Sequence, residues 1–511
     1  MSKKKRTGVQ ILSNRVTIVG LLVLAQLLVF MSLIWYLSEY AFGIYFTLIG
    51  ISLILVIYIL NKKSSPSFSM AWIVIILVAP VFGGPFYFLF GNKKVPKQIR
   101  RAGLIDKATN NSKLIQDQSI IDELMDKDFN AGKQSRYLNR NAFFPVYKNT
   151  KITYFPLGED KFESLVEHIS NAKKYIFMEY FIIEEGKMWD TILAILIEKA
   201  QQGVDVRLIY DDAGCANKLL YGYEKILRDY NIKCYIFNPL RARIIVQMNN
   251  RDHRKICVVD GQYAYLGGIN LADEYINHVE LFGHWKDTAV LLEGDAVKSV
   301  IKMYLQIYNY LAGTKDTLEN FIYDSFIEDK GFIQPYSDSP TDSENVSEIS
   351  HINMINLAKN YVYITTPYLI PSYEMTKALT TAAKNGVDVR IIVPHIPDKG
   401  YVFLVTQSNY RHLIESGVKI YEYTPGFMHA KSLIADGDVA YVGSCNMDYR
   451  SYYLHFECGV NMYYSDVIKD IEKDYMNILR VSKEITKEDY KRYSIFRRIA
   501  MAFMGLFSFL M

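Results

Sequence analysis

The sequence predicts an α/β protein in which one domain occurs twice, preceded by an apolar helical region. Two repeats carry this reading. "YIFMEYFIIEEG" from Tyr175 resembles "YVYITTPYLIPS" from Tyr361, and "GVDVRLIYDD" from Gly203 resembles "GVDVRIIVPH" from Gly386. Each copy is an apolar strand, a helix and a second strand opened by Gly-Val-Asp-Val-Arg. Strands alternating with helices in this way form βαβ units whose sheet carries helices on both faces. A period of about 180 residues marks a duplicated domain rather than a solenoid. The third observation is a series of uncharged runs at the N terminus.

The first of these, "VTIVGLLVLAQLLVFMSLIWYL" (Val16 to Leu37), has 22 residues without a charge. At about 1.5 Å per residue it is long enough for a bilayer core of about 30 Å and is expected to be a transmembrane helix. Phe42 to Leu60 is expected to return as its hairpin partner. The third run, "MAWIVIILVAPVFGGPFYFLFG", is broken by Pro80, Gly83, Gly84 and Pro85, which predicts a kinked or re-entrant segment. Basic clusters at Lys3, Lys4, Lys5, Arg6 and Arg15, at Lys62 and Lys63, and at Lys93, Lys94, Lys97, Arg100 and Arg101 flank the runs. If positive charge stays inside, the third run does not cross, and the rest of a multi-pass cell-membrane protein lies on the cytoplasmic face.

The expected organisation is a membrane region at 1–95, a polar helix-like connector at 96–140, a first lobe at 141–330, a second at 331–490 and a C-terminal segment at 491–511. "QPYSDSPTDSEN" (334–345) reads as a surface loop between or over the lobes. "FRRIAMAFMGLFSFLM" (Phe496 to Met511) joins two arginines to an apolar tail too short to span, so it is expected to lie on a bilayer surface; the alternative is a helix docked on the lobes.

Half of the 511 residues are apolar and 14% aromatic, which excludes a disordered chain. A net charge of +4 argues against a nucleic-acid partner, which calls for a strongly basic face. The five cysteines form no CxxC and no zinc-ligand spacing, so they read as buried small side chains.

The chemistry lies in a second, ungapped repeat: "HRKICVVDGQYAYLGGIN" at His253 to Asn270 and "HAKSLIADGDVAYVGSCN" at His429 to Asn446. Both read His-x-Lys-x4-Asp-Gly, then Ala-Tyr, Gly and Asn. A single such pattern is more often a solvated hairpin; a duplicate with a matching tail is not chance. Residues i and i+2 of a strand share a face, which brings His253 to Lys255 and His429 to Lys431. Asp260-Gly261 and Asp436-Gly437 fall where a hairpin turn reverses the chain. The two aspartates are counted with the catalytic set, the alternative being a structural role in capping the turn. Imidazole, ammonium and nearby amide or hydroxyl donors suit a phosphate held while a ring nitrogen attacks phosphorus. Two half-sites supply two histidines, one as nucleophile and one as general acid toward the leaving alcohol. No metal and no other cofactor is required. The aromatic stretches near Tyr175 and Tyr361 read as core strands rather than ligand platforms.

These residues are paired HKD motifs, and by them the chain resembles the phospholipase D superfamily. "FNPL", "NNRDHRKICVVDG", "GGINLADEY", "HWKDTAV" and the third apolar run look like those of the bacterial cardiolipin synthases, over nearly the whole chain. The resemblance implies two α/β/α sandwich lobes related by a pseudo-twofold, the phospholipase D fold. It implies that His253, Lys255 and Asn270 grip the phosphoryl group from one side, and His429, Lys431, Ser444 and Asn446 from the other. Asp287 and Glu457 stand where the family places a carboxylate that orients a catalytic imidazole. The implied reaction is transphosphatidylation of two phosphatidylglycerols to cardiolipin and glycerol, with His253 as nucleophile and His429 as acid, at a bilayer. Two departures stand out: Gly268 replaces the counterpart of Ser444, and there is one apolar run beyond the usual two. The rival readings are a phospholipase D that hydrolyses lipid to phosphatidic acid, a membrane-tethered phosphodiesterase or nuclease, and a non-catalytic scaffold. Oligomeric state is not legible.

Overall fold

The computed structural model describes residues 15–40, 42–62, 66–90, 114–240, 249–324, 327–341 and 344–508. The basic clusters at Lys3 to Arg6 and Lys93 to Arg101, the first part of the connector and the last residues of the tail lie outside the described residues.

The N-terminal runs form helices α1 (Arg15–Tyr40), α2 (Phe42–Asn61), α3 (Pro66–Val78) and α4 (Pro80–Phe90). Ala79 and Pro80 break the third run, and α4 folds back on α3. A Cβ on Gly83 would lie 2.4 Å from the Ile76 Cα, so only glycine allows this approach. Ser52 of α2 donates to the Pro80 carbonyl at 2.5 Å. Leu55, Ile59, Trp72, Ile76 and Tyr87 make a small core that also takes in Tyr449 of the second lobe. Leu21, Leu28, Val29, Trp35, Ile54 and Ile57 remain exposed. The expectation of transmembrane helices requires correction: among the described residues, no helix is long and apolar enough to cross a membrane. Uncharged runs predict an apolar surface, which α1 and α2 present. They do not fix how deep it sits, because part of that surface packs on protein.

The strands, in chain order, are β1 (Thr150–Phe155), β2 (Tyr175–Tyr180), β3 (Asp205–Asp211), β4 (Lys233–Phe237), β5 (Lys255–Val259), β6 (Tyr263–Gly267), β7 (His284–Lys286), β8 (Ala289–Gly294), β9 (Phe332–Asp338), β10 (Tyr361–Thr365), β11 (Asp388–Pro394), β12 (Lys419–Tyr423), β13 (Gly426–Met428), β14 (Ser432–Ala435), β15 (Val439–Gly443), β16 (Glu457–Tyr463) and β17 (Ser482–Ile485). The first lobe's sheet has the order β1-β8-β6-β5-β2-β3-β4 and the second's β17-β12-β11-β10-β14-β15-β16-β9. In each, three strands from the βαβ repeat run parallel (β2, β3, β4 and β10, β11, β12), and the motif hairpin adds antiparallel beside the first of them. β2 is buried throughout and β10 nearly so, as core strands require. All five cysteines are free and buried.

The sheets meet at equivalent strands, β6 against β15 and β16. One apolar core runs through both lobes and encloses the helix Val297–Ala312. A second core lies on the outer face of the first sheet, under the helices Gly158–Ser170 and Lys187–Gln201.

Two readings of loop and tail change. Gln334 to Asp338 belong to β9, a largely buried strand paired with β16, so of the described residues in 334–345 only 339–341, 344 and 345 are loop. Pro335 is tolerated because β9 is an edge strand. At the C terminus the helix Ile495–Gly505 docks on the helix Gly400–Ser408: Met501 is buried, and Arg497 Nη2 donates to Gln407 Oε1 at 2.7 Å. Its other face leaves Ile495, Phe496, Ile499 and Phe503 exposed.

Candidate active site

The segments leading into the two motifs do not stay in their own lobes. Ahead of β5, Asp252 bridges Phe456 in parallel, the His253 amide donates to the Phe456 carbonyl (2.9 Å), and the Phe456 amide donates to the Arg251 carbonyl (2.8 Å). Ahead of β14, β13 pairs in parallel with β7, and the His429 amide donates to the Lys286 carbonyl (2.7 Å). Phe456 and Lys286 immediately precede Glu457 and Asp287. Each histidine is therefore delivered to the carboxylate of the opposite lobe.

His253 Nδ1 lies 2.9 and 3.1 Å from the two Glu457 oxygens, and His429 Nδ1 lies 2.5 Å from Asp287 Oδ2. An Nδ1 that donates to a carboxylate leaves Nε2 with the lone pair of the neutral ring. Burial lowers both imidazole pKa values, with the motif lysines adding to the effect: His253 falls well below the usual value and His429 to about 4. The opposing pull of Asp287 is among the causes at His429. Lys255 and Lys431 are buried behind their histidines, each donating Nζ to its own histidine's carbonyl. Burial pulls their pKa values to about 7 and about 8, against the attraction of Glu457 and Asp287.

Both histidines, Asn270 and Asn446 line one cavity of about 710 Å³ between the lobes. Asn270 is fixed by the Ile182 amide (3.0 Å) and the Tyr275 hydroxyl (2.6 Å); Asn446 Nδ2 donates to Asp448 (3.2 Å). Phe181, Tyr275, Phe282, Trp285, Tyr401 and Phe427 make much of its wall apolar.

Lys255, Lys431, Asp287 and Glu457 stand behind the cavity-lining histidines, and Asp260, Asp436 and Ser444 do not line the cavity either. Asp260 accepts from the backbone amides of Lys173, Lys174 and Tyr175 (2.8, 2.7 and 2.8 Å), and Asp436 from those of Lys359, Asn360 and Tyr361 (2.6, 2.8 and 2.9 Å). Both carry positive φ, 53° and 57°, followed by Gly261 at 74° and Gly437 at 73°, the two left-handed positions of a type I′ turn. Their assignment to the catalytic set is corrected: they cap the start of β2 and β10. Ser444, expected to bind phosphate, instead donates Oγ to Glu457 Oε2 and accepts from the Cys458 amide (3.0 Å). Its hydroxyl is already engaged in holding the carboxylate.

The sequence reading missed His455. It lines the cavity, with its ring centroid 5.5 Å from that of His253 and its pKa lowered to about 3 chiefly by burial. Its place two residues before Glu457 was the available signal. Among the described residues, His253, His455 and Glu457 form one group whose donor atoms lie within 4.8 Å and could hold a metal ion. The same Glu457 oxygens orient His253, so a metal there would compete with that bond.

Two lobes that each complete the other's histidine around one cavity define a phosphodiester-processing site of the phospholipase D kind. The chain belongs to the cardiolipin synthase family: the model of the cardiolipin synthase, PLD-like domain matches residues 165–294 and 351–479, and a phospholipase D-nuclease N-terminal model matches 50–92. It is 44% identical to an uncharacterized protein of Streptococcus mutans over 86% of this chain and 96% of that one. It is 32% identical to the cardiolipin synthase of Geobacillus kaustophilus (91% and 93% covered) and 32% to that of Staphylococcus aureus (86% and 90%). The fold is similar to that of phosphatidylserine synthase from Haemophilus influenzae, with a TM-score of 0.58 at 17% identity over 74% of this chain and 100% of that one.

Proposed function

We propose that the protein is a phosphatidyl-transferring enzyme, a cardiolipin synthase that joins two phosphatidylglycerols and releases glycerol. The supporting observation is the pair of cross-lobe histidine–carboxylate bonds at one cavity. In the first step the neutral Nε2 of His253 attacks phosphorus. The bond to the glycerol oxygen breaks as His429, neutral in the free site and protonated on Nε2 when the anionic phosphodiester enters beside it, gives that oxygen its proton. In the second step His429 takes the proton from the terminal hydroxyl of another phosphatidylglycerol as its oxygen bonds phosphorus, and the phosphorus–nitrogen bond breaks. The short bond to Asp287 suits His429 as the residue that must carry a proton, which leaves His253 as the nucleophile. Lys255, Lys431, Asn270 and Asn446 supply the positive charge and donors for the phosphoryl oxygens. Asp287 and Glu457 position the rings.

The exposed apolar faces of α1, α2 and the C-terminal helix rest on lipid in this reading, with the lobes joined to the bilayer through residues 1–95 and 491–511. The test is purified protein in detergent with phosphatidylglycerol as sole lipid. Cardiolipin and glycerol in equal amounts are expected. Phosphatidic acid without cardiolipin would identify a hydrolase instead.

A further inference from the structure

Transfer to a lipid alcohol places two phosphates in the cavity at once. One is at the histidines; the other, one glycerol unit away, belongs to the acceptor. The second needs a cation of its own. Besides the catalytic set, the cavity wall carries four: Lys218, Arg251, Lys399 and Arg450.

Three of these are already compensated within the fold. Lys218 pairs with Glu184 and lies 3.5 Å from Glu274. Arg251 Nη1 lies 3.2 Å from Asp211 and donates to the Asn238 carbonyl at 2.9 Å. Lys399 is 3.0 Å from Asp398. Arg450 differs: among the described residues, no carboxylate lies within 4.0 Å of its guanidinium, and its side chain makes no hydrogen bond. A guanidinium stays charged at any working pH, and a partly buried one that feels Asp448 and Asp211 only from beyond ion-pair distance favours an anion in direct contact.

Its setting directs that anion. Arg450 lies on the helix Tyr449–Tyr453, capped by Asp448, which accepts from the Ser451 amide at 2.7 Å. Tyr449 and Tyr453 of this helix pack against the α2–α4 hairpin, while Arg450 lines the cavity. The Arg450 carbonyl accepts from the His455 amide at 3.0 Å, and the His455 ring neighbours that of His253. Arg450 thus stands between the apolar N-terminal helices and the reacting phosphorus.

We propose that Arg450 binds the phosphate of the acceptor lipid and so selects a phospholipid alcohol over water or an uncharged alcohol. This rests on the transferase reading given above. Arg450→Gln and Arg450→Lys in the full-length protein, in detergent micelles of phosphatidylglycerol, test it by the ratio of cardiolipin to phosphatidic acid. Arg450→Gln should lower that ratio by about tenfold or more, the loss expected for one charge-assisted hydrogen-bonding site, with Arg450→Lys in between. A ratio within about twofold of wild type in folded Arg450→Gln, as checked by circular dichroism, overturns the subsite while cardiolipin formation by wild type leaves the function standing. The wild-type enzyme gives an independent reading, free of any folding defect: offered glycerol and glycerol 3-phosphate at equal concentration, it should transfer preferentially to the phosphate-bearing alcohol. Equal use of the two overturns the proposal. Absence of any transfer product from wild type overturns both the subsite and the transferase reading.

Discussion

His253 and His429 occupy equivalent places in the two lobes, yet their surroundings differ. His429 is enclosed by the rings of Tyr275, Trp285 and Phe427, at centroid distances of 5.4, 5.2 and 5.6 Å. His253 has Phe181 at 5.1 Å and, where His429 has Trp285, the polar ring of His455. Trp285 and His455 each stand two residues before the orienting carboxylate. The carboxylates differ too. Asp287 is short and fills the space beside Gly268, where a Cβ would come within 2.2 Å of its Oδ1. Glu457 is longer and is steadied by Ser444, the counterpart of Gly268. Duplication has kept the histidine–carboxylate geometry while the parts that maintain it diverged, an inequality that fits the division of roles proposed above.

The largest effect should come from breaking the cross-lobe bonds. Asp287→Asn and Glu457→Gln keep the volume but remove the charge that holds and stabilises the imidazolium, so kcat should fall by about 10²- to 10⁴-fold in each. Asp287→Asn should impair the pH-dependent proton transfer more, because His429 depends on a single short bond. Equal losses with unchanged pH profiles would remove the division of roles. Gly268→Ser and Ser444→Gly exchange the second contrast. The first forces a side chain onto Asp287 and should cost about 10-fold or more in kcat, whereas the second loses one hydrogen bond to Glu457 and should cost only a few-fold. The reverse order would show that Ser444 itself touches substrate.

A smaller effect is expected on the alkaline side. With Lys255 near 7 and Lys431 near 8 in the free enzyme, raising the pH through this range removes ammonium charge from the phosphate site. kcat/KM should therefore decline above about pH 7 to 8, and kcat should hold to higher pH because a bound phosphate raises both lysine pKa values. A kcat/KM that keeps rising to pH 9.5 would contradict this charge assignment. The smallest catalytic effect belongs to the turn aspartates. Asp260→Asn should lower unfolding free energy by about 1–3 kcal/mol with turnover per folded molecule retained, and Asp436→Asn by less, since Asp436 is more exposed. Urea melts paired with activity measurements separate the two outcomes.

What was legible in the sequence follows from what repetition makes visible. The motif spacing located His253, Lys255, His429 and Lys431 because a strand and its hairpin impose that spacing locally. Asp287 and Glu457 were also legible by position, but their exchange between lobes was not: it depends on β13 pairing with β7 and on Phe456 pairing ahead of β5, contacts between segments distant in the chain. Asp260 and Asp436 read as chemistry because a carboxylate in a motif looks the same whether it meets substrate or three backbone amides. Pro335 hid β9, since an edge strand tolerates a residue that an inner strand would exclude. His455 and Arg450 stand where the first copy has Trp285 and Glu274, so a comparison that looks for repeated residues passes over them.

The claim that the half-sites are complementary and unequal is tested most directly by trapping the intermediate. His429→Asn lacks the proton carrier for both steps, so it is offered a phosphatidyl ester of p-nitrophenol, whose leaving group needs no proton. His253 can then attack phosphorus while resolution by an alcohol stays slow, and the mixture is quenched under alkaline conditions that preserve a phosphorus–nitrogen bond. Peptide mass analysis should find the phosphatidyl group on His253, and none should accumulate in His253→Asn. The modification on His429 in the His253 variant, or a phosphatidyl group on neither histidine under conditions where wild type turns over, would contradict the account.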